Sequence, residues 1–242
     1  MIRELTINVA IIALLGLGAL QVALAQNYRP MFPGSPTNVE NFVQEMFFVT
    51  QSSGSLALRG TCMATDVASD VVSDALPHPP EGPFHNIDEP LAALSQVAPH
   101  LSWIRDGEGM LRVRDDRVQD DVLRIRLQRV HFRGAVHPDD AVQDVLSAPE
   151  VRAYFRKNHI EVGLVFRHLA PLSTKGLPRL SGDLRDVTVA EALDHVVRYF
   201  PGLWVYKECA NGSLRRVMVR VAAVRVVGAP SSDGRVGAAP RF

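Results

Sequence analysis

Apolar positions in this chain fall into short runs whose period switches between 3.6 and 2, which predicts helices alternating with strands. The clearest run spans residues 188–221. Thr188 with Glu191 three positions on forms a capping box, in which a hydroxyl accepts a first-turn N–H and a carboxylate reaches back. Val189, Ala192, Leu193, Val196, Val197 and Phe200 then share one helical face. Pro201 and Gly202 end the helix. Leu203, Trp204, Val205 and Tyr206 read as a strand, and Asn211-Gly212 as a tight turn. Val217, Val219 and Val221 alternate with Arg216, Met218 and Arg220, a return strand with one buried face. A strand over about 180–185 leads into the helix.

The same theme occurs about a hundred residues earlier. Asn86-Ile87-Asp88 parallels Asp186-Val187-Thr188, and Asp88 is placed to cap a helix with Leu91, Leu94, Val97, Ala98 and Leu101 as its stripe. Leu101-Ser102-Trp103-Ile104 parallels Leu203-Trp204-Val205, Gly107-Glu108-Gly109 is a hairpin turn, and 110–114 is the return strand. Between the copies, 122–133 reads as one long strand whose alternation slips, predicting a bulge near Gln128-Arg129. Pro138 and Pro149 open two helices, and 160–169 is a further strand. Upstream, 38–49 has helical spacing, 56–62 reads as a strand and 64–75 as a helix. Residues 77–83 break regular structure, and 115–121 form an acidic link.

Leu184 to Leu193 in order (LRDVTVAEAL), followed by Gly202-Leu203-Trp204-Val205-Tyr206, resembles the short N-terminal domain of secretins and TonB-dependent receptors. The resemblance covers residues 180–227, about a fifth of the chain, with a candidate second copy at 84–114. It implies a strand–helix–strand–strand unit that works by contact with envelope proteins. No channel or barrel follows, so the activity of those large proteins does not carry over.

Composition adds a compartment. Arg3, an apolar run over 9–20 and Ala23-Leu24-Ala25 form a signal peptide over 1–25, with Gln26 as the first mature residue. An uncleaved anchor is the competing reading, although the run only reaches the lower limit for spanning a bilayer. Export makes nucleic acid an unexpected partner, and no other run would span a membrane. The two cysteines, Cys62 and Cys209, are then expected to form a disulfide. Formal net charge is zero, yet residues 1–121 hold 7 Lys+Arg against 15 Asp+Glu, and 122–242 hold 19 against 11. This asymmetry suits either mutual attraction of the halves or an acidic partner.

Chemistry is sparse. The eight histidines form no H-E-x-x-H, and no G-x-S-x-G or S-x-x-K surrounds a serine. The one cluster for a hydrolase reading is His131 and His137 beside Asp139 and Asp140. His195 reads as a surface residue. Trp103 and Trp204 would be stacking platforms in a ligand-binding reading, and core residues otherwise. No cofactor and no metal is expected.

The expected fold is α+β: two small helix-plus-β-hairpin modules joined by a strand and helix pair, able to share one sheet. The expected partition is a signal peptide at 1–25, a linker with a short helix at 26–50, modules at 51–121 and 122–227, and a disordered tail at 228–242. The expected function is that of an exported, non-catalytic module that meets an envelope protein by sheet-edge pairing. The residues expected to carry it are Trp204 and Tyr206 on an open edge and Arg124, Arg126 and Arg133 on a basic strand.

Overall fold

A computed structural model describes residues 38–64, 69–76, 78–81, 84, 86–163, 179–212 and 214–223. The expected signal peptide, the N-terminal part of the expected linker and the expected C-terminal tail lie outside the described residues. The fold is α+β. Two hairpins, β4 (Leu101–Arg105) with β5 (Leu111–Asp115) and β9 (Gly202–Asn211) with β10 (Leu214–Ala223), lie in one six-stranded sheet. β1 (Gly54–Arg59) is inserted between them, parallel to both β5 and β9. β7 (Ile160–Val162) closes the other end beside β10, giving the order β4-β5-β1-β9-β10-β7. The two modules therefore do share a sheet.

Insertion of β1 requires close backbone approach at both its ends. A Cβ on Gly54 would lie 1.9 Å from the Leu111 carbonyl oxygen, and one on Gly60 would lie 2.3 Å from that of Val72. Glycine is needed at both places for this steric reason. At Gly60 the chain leaves the sheet and continues as β2 (Thr61–Ala64), so the strand expected over 56–62 is two strands. β2 pairs with β3 (Ser69–Val72), which overturns the helix expected over 64–75. Val71 is buried and Val72 is exposed, an alternation of period two that β-branched residues favour.

Each face of the sheet has its own core. Leu56, Leu58, Leu111, Val113, Leu203 and Val205 meet α1 (Val39–Thr50) and α2 (Asp88–Val97) on one side. Phe42, Val43 and Phe47 on α1 are fully buried there. α2 starts where expected, but Asn86 caps it, accepting from the N–H groups of Asp88 at 2.9 Å and Glu89 at 3.1 Å. The other face presents Trp204, Tyr206, Val217, Val219 and Val221 to α3 (Pro138–Leu146), α4 (Pro149–Lys157) and α5 (Val189–Tyr199). The capping box of α5 forms as its sequence predicts, and all six positions of its stripe are buried.

A second ribbon covers those helices. β6 (Arg126–Ala135) pairs antiparallel with β8 (Leu180–Thr188), so the strand leading into α5 joins a different sheet from the one that follows. β6 begins at Arg126, because residues 121–124 form a turn that buries Val122 and Leu123. The inside–outside alternation slips at Gln128-Arg129, opposite Asp186 with its φ of 56°, but the expected bulge does not form there, since Leu127 with Val187 and Arg129 with Arg185 stay in one register. The register shift itself falls between Arg133 and Ala135, at Gly134 with φ 83°. Of the strand expected over 160–169, residues 160–162 form β7, and 164–169 lie outside the described residues.

Cys62 and Cys209 form the expected disulfide, with Cα atoms 5.3 Å apart and a separation of 147 positions in sequence. It ties the β2/β3 ribbon to the end of β9. Reduction is expected to remove on the order of 2–5 kcal/mol of stability by releasing a long loop in the unfolded chain. Urea unfolding with and without thiol measures this; superimposable midpoints would refute a stabilising bond.

Candidate functional site

The structure overturns the expected edge at Trp204 and Tyr206. β9 lies inside the sheet with β1 on one side and β10 on the other, so its backbone groups are already paired. Trp204 is 2% exposed, and its Nε1 donates to Asp194 Oδ1 at 2.7 Å. That contact also ends the stacking-platform reading of Trp204. Trp103 packs half-buried against the α1/α2 core. The Tyr206 hydroxyl donates to Glu208 Oε2 at 2.9 Å, and burial together with the Glu208 charge pushes its pKa far up.

Around Glu208 the charges form a chain. Arg215 donates to Glu208 Oε2 at 3.0 Å and pairs with Asp121, which accepts from the Tyr154 hydroxyl at 2.6 Å. The Gln119 N–H donates to Glu208 Oε1 at 2.8 Å. A second buried set lies on the opposite face. Glu40 of α1 receives Lys207 at 3.0 Å and also pairs with Arg220 of β10. A third joins Arg112 to Asp194 at 2.8 Å and Asp106 at 2.9 Å. These groups hold helices on the sheet. The sequence signal for them was Lys207-Glu208, two charges in the middle of an apolar strand, which demand partners when buried.

The basic strand is exposed, yet its charges are matched. Arg126 pairs with Asp186 at 2.6 Å, Arg129 with Asp183 at 2.7 Å, Arg133 with Asp144 at 2.7 Å, and Arg124 with Asp120 at 3.2 Å. Arg124 belongs to the turn before β6, whereas Arg126 and Arg133 are on β6. Asp183 sits between Arg129 and His131, whose hydrogen bonds hold its pKa down at about 2. His131 thus bonds Asp183 at 2.8 Å, away from the cluster expected with Asp139 and Asp140. His137 is the N-cap residue of α3, and Asp139 and Asp140 lie in that helix's first turn. Among the described residues, no group of three or more His, Cys, Asp and Glu side chains is placed to hold a metal ion. His195 is half-buried and stacks on Phe132 with ring centroids 5.8 Å apart, which corrects its surface assignment. Burial, assisted by Arg198, lowers its pKa.

Among the described residues, the six-stranded sheet is open at both of its ends. β4 ends the sheet, and among the described residues no strand lies beyond it. Its Ile104 is 61% exposed. At the opposite end, α4 and β7 bound a shallow groove of about 560 Å³. Both were missed because edge status depends on sheet order. No described helix is long and apolar enough to cross a membrane. No family model, no curated protein and no solved structure matches this chain.

Burial raises the carboxyl pKa of Glu40, Asp106, Asp115 and Asp121, but their partners outweigh it. Arg220 and Lys207 lower Glu40; the Met110 and Glu108 N–H groups and Arg112 lower Asp106; Arg117 lowers Asp115; Arg215 and Tyr154 lower Asp121. A carboxyl more acidic when folded stabilises fully above its unfolded value and loses that contribution as pH falls through the folded one. Stability is therefore expected to decline below about pH 4. Glu40→Gln is expected to cost about 3–5 kcal/mol at neutral pH, because Lys207 stays buried beside it, and to flatten the acid decline. Denaturant midpoints of both proteins from pH 7 to pH 2 check this, and an unchanged neutral midpoint would contradict it.

Proposed function

We propose that the chain is an exported, non-catalytic interaction module that joins a cell-envelope protein by adding a partner strand to an open edge of its six-stranded sheet. The observation that carries this reading is β4. A terminal strand offers a row of outward N–H and C=O groups, which natural edges usually guard with charge, proline or a cover. Ile104 leaves an apolar side chain 61% exposed on this edge, beside the half-buried Trp103. A partner strand would satisfy the backbone groups and cover the isoleucine together.

Other features support the same reading. The stretch that resembles the short secretin and TonB-receptor domain runs as β8, α5, β9 and β10 in the expected order. A disulfide suits an oxidising compartment, where a signal peptide would deliver the chain. The large buried ion sets are saturated by one another, which suits a rigid scaffold.

Two measurements test the reading. Mass spectrometry of the protein from its native envelope is expected to find Gln26 as the first residue; a retained N-terminus would indicate an anchor instead. Cross-linking from that envelope is expected to recover one reproducible partner with the unaltered chain and to lose it with Ile104→Lys. The substitution adds a charge to an exposed position, where stability effects stay within about 0.5 kcal/mol. Equal recovery with Ile104→Lys, or recovery of the monomer alone, would overturn β4 as the contact.

A further inference from the structure

The groove at the other end of the sheet has a chemistry of its own. α4 presents Arg152, Phe155 and Arg156 along one side at helical spacing, His159 follows just past the end of the helix, and β7 supplies the other side. Phe155 and Ile160 are buried in its floor, while Val162 is 45% exposed. Arg152 and Arg156 are exposed, and neither has a carboxylate partner among the described residues, unlike the arginines of β6. Among the described residues, the only acidic side chain lining the groove is Glu161, which Arg216 engages at 2.8 Å. The groove thus carries an excess of positive charge over an apolar floor.

Its strand is also open. β7 pairs with β10 on one side, and among the described residues no strand lies on the other. The Gly163 N–H donates to the Val217 carbonyl at 2.7 Å. Backbone groups alternate sides along a strand, so the Val162 N–H faces away from β10, toward the free edge.

We propose that this groove binds an extended, carboxylate-rich segment of a partner protein, which adds beside β7 and places every second side chain against Arg152 and Arg156. Guanidinium forks pair with carboxylates in bidentate fashion, and the strand edge supplies backbone bonds that a free anion cannot use. Val162 offers apolar contact along the same line. The site is distinct from the β4 edge and does not rest on it.

The test uses the intact, disulfide-bonded chain and a fluorescein-labelled hexapeptide alternating glutamate and threonine, followed by anisotropy. Saturable binding is expected, weakening as salt rises. The double variant Arg152→Glu/Arg156→Glu changes two exposed side chains and is expected to bind at least about tenfold more weakly, the scale of losing a charge-assisted pair. Val162→Pro is expected to weaken binding too, since it removes an outward N–H and no bond to β10, with circular dichroism confirming the fold. Several outcomes would overturn the proposal: no saturation, equal binding of the lysine–threonine peptide, or wild-type binding by the arginine variant. So would capture of phosphatidylglycerol vesicles without the peptide, which would make the groove a lipid-headgroup site. Undiminished binding by Val162→Pro would overturn strand addition.

Discussion

The pairing of β1 with both β5 and β9 is the constraint on which the rest of this structure depends. Each hairpin, β4/β5 or β9/β10, is marginal by itself, since two strands bury too little apolar surface. One short strand between them, with β7 added beyond β10, makes a six-stranded sheet with two usable faces. The geometry leaves no room for a side chain at Gly54, where a Cβ would meet the Leu111 carbonyl. Parallel strands require long connections, and here those connections carry the helices that cover the faces. The order of elements along the chain and the layering in space are therefore one problem with one solution.

A sheet assembled from distant segments also brings charges together. Glu40 of the first helix meets Lys207 and Arg220 of the last hairpin, and Asp121 meets Arg215. Such pairs add little net stability beyond what well-packed apolar residues would supply, because desolvation offsets attraction. Leaving one member unpaired is costly, so they penalise alternative arrangements of the same strands. The acidic first half and basic second half of the chain find each other in this way. The β2/β3 ribbon is held by a different means, the covalent bond from Cys62 to Cys209.

The ends of the sheet differ in character, and the difference bears on function. β4 presents an apolar residue at an open edge, and β7 lies beside arginines without described carboxylate partners. On the β6/β8 ribbon, Arg126 and Arg129 pair with Asp186 and Asp183 across the two strands, and Arg133 pairs with Asp144 of α3. Both proposed contacts lie at the margins of the sheet, and its centre is packed.

The sequence by itself determined the local elements wherever one signal dominated. Thr188 with Glu191 made a capping box, the stripe from Val189 to Phe200 made a buried helical face, and Asn211-Gly212 made the turn of a hairpin. Export chemistry suggested the disulfide, and the slip at Gln128-Arg129 was visible in the alternation. Only the tertiary structure decided which strands are edges. Tyr206 and Trp204 looked like an edge because an alternating strand reads the same at the centre of a sheet as at its margin. Residues 69–72 looked helical because local spacing carries no record of the β2 strand waiting beside them. His131 was expected beside Asp139 and found Asp183, a residue 52 positions away, because β6 pairs with β8. Periodicity reports which face of an element is buried; neighbours across a sheet are set by long-range pairing, which no local window contains.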